Sequence, residues 1–95
     1  MEMRRYLIAG KVQGVGFRFW TVGRARLLGL AGWVKNRADG GVEVVARGQP
    51  YNLDMLAGQL WDGPAMARVE RVELAPLAEE GKAALLATHS FDQTQ

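Results

Sequence analysis

The sequence predicts an α+β fold in the order strand, helix, strand, strand, helix, strand. Three observations carry that expectation. A strand-like run at Arg5–Gly10 gives way, through a glycine-broken turn, to an amphipathic stretch. Two further strand-like runs flank the turn Asp39-Gly40-Gly41. A second helical pattern opens at Pro50 and stops at Gly63-Pro64, after which strand character resumes.

Arg5-Tyr6-Leu7-Ile8-Ala9-Gly10 is rich in aromatic and apolar residues and reads as a strand of about six residues, near the usual length, in the interior of a sheet. Beyond the turn, Val22, Ala25, Leu28 and Gly29 fall on one helical face, so residues 19–29 are expected to be helical, with Gly23 weakening the interior. Gly29 suits a left-handed cap and Leu30 supplies the apolar residue that follows one. Gly32–Arg37 and Val42–Arg47 form the clearest local structure, a hairpin in which Val42, Val44 and Ala46 share a covered face while Glu43 and Arg47 point the other way. Leu53, Leu56, Ala57 and Leu60 recur at helical spacing after Pro50, with Asp54 and Asp62 on the wetter side. Residues 67–74 resume strand character, but the alternation slips between Val69 and Val72, as a bulge or a late strand start would cause. Glu79-Glu80-Gly81-Lys82 reads as a polar loop, and residues 85–94 as a last short strand anchored by Phe91. The expected architecture is the ferredoxin-like sandwich, an antiparallel sheet with two helices on one face, built from residues 1–95 as a single domain.

With 95 residues and 48% hydrophobic content, the chain can fill one core. The absence of cysteine excludes a disulfide framework, a thiolate nucleophile and a Cys-based zinc site, and fits a reducing compartment. Met1 is followed by Glu2, Arg4 and Arg5, and no apolar run approaches the length of a leader or a membrane span, so the sequence reads as cytoplasmic with no membrane partner. A net charge of +2, with arginines scattered among acidic neighbours, matches one bound phosphate better than a polyanion.

The stretch Gly10–Arg18 concentrates the chemistry. Gly14 and Gly16, separated by one residue, let the backbone fold tightly and turn several N–H groups toward one point, and the helix beyond adds the positive end of its dipole. Arg18 brings a planar fork of donors suited to phosphate or carboxylate. Such glycine turns are also common structural devices, and an arginine at a surface is ordinarily just solvated. The segment is no Walker loop, because no Gly-Lys-Ser/Thr follows, and it lacks the third glycine and downstream acid of a dinucleotide fingerprint, which argues against ATP and NAD. Asn36 lies between Val34 and the Asp39-Gly40 turn, where its ordinary role is turn capping. His89, Ser90, Thr21 and Thr88 form no Ser–His–acid pattern, and Asp39, Glu43 and Glu70 show no metal-ligand spacing and read as solvated. Trp20, Trp33 and Trp61 read as core or hairpin packing.

Taken together, Val12-Gln13-Gly14-Val15-Gly16-Phe17-Arg18, Leu28–Asn36 and Asp39-Gly40-Gly41-Val42-Glu43-Val44 resemble the two signature regions of the acylphosphatases, and Gly63-Pro64 with Ala67-Arg68-Val69 resembles that family's link into its fourth strand. The resemblance covers residues 4–75 and Phe91. Departures are Gly23 and the polar tail from Ser90. The resemblance implies hydrolysis of the carboxyl–phosphate bond of an acyl phosphate. It makes Arg18 the substrate-binding arginine and Asn36 the water-orienting asparagine, and gives Gln13, Gly14, Val15, Gly16, Phe17 and Arg18 the phosphate cradle. An acyl phosphate is a mixed anhydride whose carboxylate departs without a general acid, which suits a chain so poor in acid–base groups, and no metal or cofactor is implied. The expected partners are a small acyl phosphate and inorganic phosphate as product and inhibitor, with a monomeric chain and no nucleic acid. Two alternatives stay open at this level: a non-catalytic anion-binding or interaction domain, and an RNA-binding module of the same topology, although Phe17 lies in the turn and not on a strand face.

Overall fold

A computed structural model describes residues 1–94. The elements run β1 (Glu2–Lys11), α1 (Phe17–Leu27), β2 (Ala31–Asn36), β3 (Val42–Gly48), α2 (Pro50–Asp62), β4 (Arg68–Ala75), α3 (Glu79–Leu86) and β5 (Phe91–Thr94). The strands form one sheet in the order β4-β1-β3-β2-β5. This is the ferredoxin-like arrangement, with one added helix and one added edge strand.

On one sheet face, Tyr6 and Ile8 of β1, Val34 of β2, and Val42, Val44 and Ala46 of β3 point inward and meet Ala25 of α1 and Leu53, Leu56 and Leu60 of α2. Alternation along the strands and the three-to-four spacing along α2 put these residues on a common surface. The Tyr6 hydroxyl donates to the Leu53 carbonyl at 3.2 Å, which satisfies the one polar atom that β1 buries against α2. Gly29 adopts φ 68° just after α1, and the Leu30 N–H reaches back to the Ala25 carbonyl at 3.0 Å, closing the helix in the left-handed manner its sequence predicts.

The expected irregularity in the fourth strand is present. Ala9 pairs with Arg71 and Gly10 with Val69, so Glu70 is the extra residue of a bulge. Gly10 sits at its heart with φ 126°, and a Cβ there would lie 2.1 Å from the Arg68 carbonyl oxygen, so no other residue fits.

Several expectations need correction. Residues 79–82 are not a loop but the first half of α3, and the segment from residue 85 is not all strand: Leu85 and Leu86 finish the helix, and only Phe91–Thr94 is extended. The sheet is not wholly antiparallel, because β5 runs parallel to β2, with Phe91 opposite Gly32 and Thr94 opposite Lys35. The outer face of β3 is also covered, since α3 packs there: Leu85 and Val45 are buried, and Arg47 donates to the Leu85 and Thr88 carbonyls at the helix end. Glu43 is accordingly not solvated. It is 7% exposed, with its carboxylate 2.6 Å from Arg5 Nε and 3.7 Å from Lys35 Nζ. Trp61 departs from the expected packing role as well, being half exposed on α2.

Candidate active site

The chain leaves β1 at Lys11 and must reverse into α1 within five residues. Gly14 and Gly16 make this possible, with φ of 73° and 79° in the left-handed region. Gly16 caps α1 without any side-chain hydrogen bond, and no acidic residue occupies the first turn. The first bond of the helix runs from Trp20 N–H to the Gly16 carbonyl at 3.0 Å. The N–H groups of Phe17, Arg18 and Phe19 therefore precede the helical ladder and point out of its positive end.

This turn, Arg18 and Asn36 open onto one cavity of about 250 Å³, lined by Val12, Gly14, Gly16, Phe17, Arg18, Phe19, Asn36 and Gln93. Of the predicted residues, Gly14, Gly16, Phe17, Arg18 and Asn36 meet there, while Gln13 and Val15 do not line it. Phe17 itself is 2% exposed and belongs to the core. The Gln13 amide is occupied elsewhere: its Nε2 donates to the Arg37 and Gly41 carbonyls, each at 2.8 Å, and so ties the glycine turn to the hairpin turn. That clamp fixes the relative position of Arg18 and Asn36.

Arg18 spends one donor on the fold. Its Nη1 donates to the Thr94 carbonyl at 2.7 Å, which holds the guanidinium beside the cavity, and among the described residues no other hydrogen bond engages the fork. Asn36 ends β2, and its Oδ1 is buried without a hydrogen-bond partner among the described residues. The capping role that asparagine ordinarily plays at such a turn is filled by Asp39, whose Oδ1 accepts the Gly41 N–H at 2.9 Å. That hydrogen bond, with Arg37 adding to it, holds the Asp39 carboxyl below its ordinary range. Sequence reasoning missed Gln93, Phe19 and the Thr94 carbonyl as parts of this site. The Gln13 clamp was hidden too, because nothing local distinguishes a side chain that reaches across to another turn.

Among the described residues, no group of three His, Asp or Glu side chains comes together to hold a metal ion, and no helix is long and apolar enough to cross a membrane. What the fold and the cavity define is a small α+β domain with a cavity between a helix N-terminus and a β-hairpin. The family model for acylphosphatase matches residues 4–92. An acylphosphatase of Koribacter versatilis is 53% identical over 83% of this chain and 72% of its own length, and one of Nitrobacter hamburgensis is 41% identical over 96% and 92%. The crystal structure of acylphosphatase from Bacillus subtilis superposes with a TM-score of 0.86 at 33% identity, covering all of both chains. The chain belongs to the acylphosphatase family.

Proposed function

We propose that the backbone of the glycine turn at Gly14, Gly16, Phe17 and Arg18 and the Arg18 guanidinium hold the phosphoryl group of an acyl phosphate while the Asn36 amide orients the attacking water. The activity itself, hydrolysis of the carboxyl–phosphate bond to a carboxylate and inorganic phosphate, follows from membership of the family. The observation that carries the assignment of roles is that Asn36, remote in sequence from the glycine turn and Arg18, lines one cavity with them. The water oxygen bonds to phosphorus, the bond from phosphorus to the acyl oxygen breaks, and the carboxylate leaves with the electron pair. The water proton passes to the phosphate.

A loose transition state of this kind places charge on the equatorial oxygens, where N–H groups and a fixed guanidinium stabilise it without rearranging. No general acid is required, because a carboxylate is a good leaving group. On this reading the chain is a monomeric, cytoplasmic, single-domain hydrolase spanning residues 1–95. It takes a small-molecule acyl phosphate, is inhibited by the inorganic phosphate it releases, uses no cofactor, and engages neither nucleic acid nor membrane.

Steady-state hydrolysis of benzoyl phosphate tests the roles. Arg18→Ala is expected to lose about 10²–10³ in rate, the usual effect of removing a preorganised donor. Arg18→Lys keeps the charge but loses the fork, and is expected to fail substantially as well. Activity of Arg18→Ala within a factor of about three of the parent, about 0.7 kcal/mol in the barrier, would remove Arg18 from the site.

A further inference from the structure

We propose that Phe19 forms an apolar subsite for the acyl part of the substrate, so that the chain favours acyl phosphates whose acyl group is aromatic or bulky and apolar. This rests on the roles given above to Arg18 and the glycine turn. Phe19 follows Arg18 directly, lines the same cavity, and is 80% exposed. The large neighbours on α1 are engaged by the fold: Phe17 is in the core, Trp20 packs on it with ring centroids 5.5 Å apart, and the Arg24 guanidinium lies over Trp20. Phe19 is outside that packing. Other large apolar residues are exposed too, among them Leu27, Tyr51 and Met66, but Phe19 is the one of these that borders the cavity.

Its direction follows from helix geometry. Side chains lean toward the N-terminus of their helix, so a ring at the third position of α1 reaches back over the turn that carries Gly14 and Gly16. A phosphoryl group gripped by N–H donors inside the cavity directs its acyl oxygen, and the carbon beyond it, toward the mouth. The acyl substituent then emerges beside Phe19, where a flat apolar group can stack and remove both surfaces from water. Polar groups grip one end of the substrate and a single ring reads the other.

The test is a pair of ratios. For the parent enzyme, kcat/KM is measured with benzoyl phosphate and with acetyl phosphate, and calorimetry gives affinities for benzylphosphonate and methylphosphonate, which need no turnover. Phe19→Ala is expected to lower both aromatic-to-methyl ratios by roughly three- to tenfold, the scale of one aromatic contact, with Phe19→Tyr retaining them. Because each ratio is taken on one protein, a loss of folded material cancels. Ratios unchanged in Phe19→Ala overturn the subsite. A parent that hydrolyses neither substrate yet prefers benzylphosphonate, and loses that preference in Phe19→Ala, would keep the subsite and sink the hydrolytic reading.

Discussion

At the scale of the residue, Asn36 is the sharpest case. Its buried Oδ1 has no hydrogen-bond partner among the described residues, so removing the amide forfeits no protein hydrogen bond at that atom. Asn36→Ala is therefore expected to leave the thermal midpoint unchanged or slightly raised while turnover collapses and inhibition by inorganic phosphate is kept. Parallel melting curves and phosphate inhibition would check this, and an equal loss of phosphate affinity and turnover would show that Asn36 binds phosphate and does not orient water. Asp39 is the opposite kind of residue, polar, exposed and structural. Its carboxyl is held low in the folded state by the Gly41 N–H and by Arg37, so its stabilising effect is present above the unfolded carboxylate value and fades as pH falls through the folded one. The midpoints of the parent and Asp39→Asn are expected to differ at pH 7 and to converge below about pH 4, near the unperturbed carboxylate value. A gap that persists at low pH would show that the charge is not what matters at this turn.

Among the elements, α3 is the one the sequence did not disclose. It is 8 residues long, Gly81 interrupts it, and Leu85 is its one buried residue, so no apolar stripe exists to be read. Its helical state depends on contacts made elsewhere: Gly81 leaves room for Leu77, whose Cδ1 would lie 2.7 Å from a Cβ at that position, and Arg47 holds the carbonyls at its end. By contrast α2 and the β2–β3 hairpin were fully legible, because Leu53, Leu56 and Leu60 and the Asp39-Gly40-Gly41 turn carry their signals within a few residues. Since α3 lies on the sheet face away from α1, Leu85→Ala is expected to cost about 2–5 kcal/mol in urea denaturation, as buried leucines do, with kcat and KM for benzoyl phosphate unaltered in the folded enzyme. A matching fall in kcat would mean that α3 supports the site after all.

For the molecule as a whole, the glycine turn and Arg18 were readable as an anion site because they are contiguous, and the family signatures added Asn36. What could not be read is the long-range framework that makes them one site, namely the Gln13 clamp and β5 lying parallel to β2. Parallel pairing has no hairpin turn to announce it, and a backbone carbonyl such as that of Thr94 carries no residue-type signal at all. The hydrogen bond from Arg18 to Thr94 spans 76 positions of sequence, and contacts of such separation are costly in loop-closure entropy before they are rewarded. On the role proposed for Arg18, its guanidinium is expected to be steadied when β5 docks, later than the local hairpin and helices form. In a refolding experiment, recovered turnover then registers completion of the sheet, and species that already possess their helices remain silent.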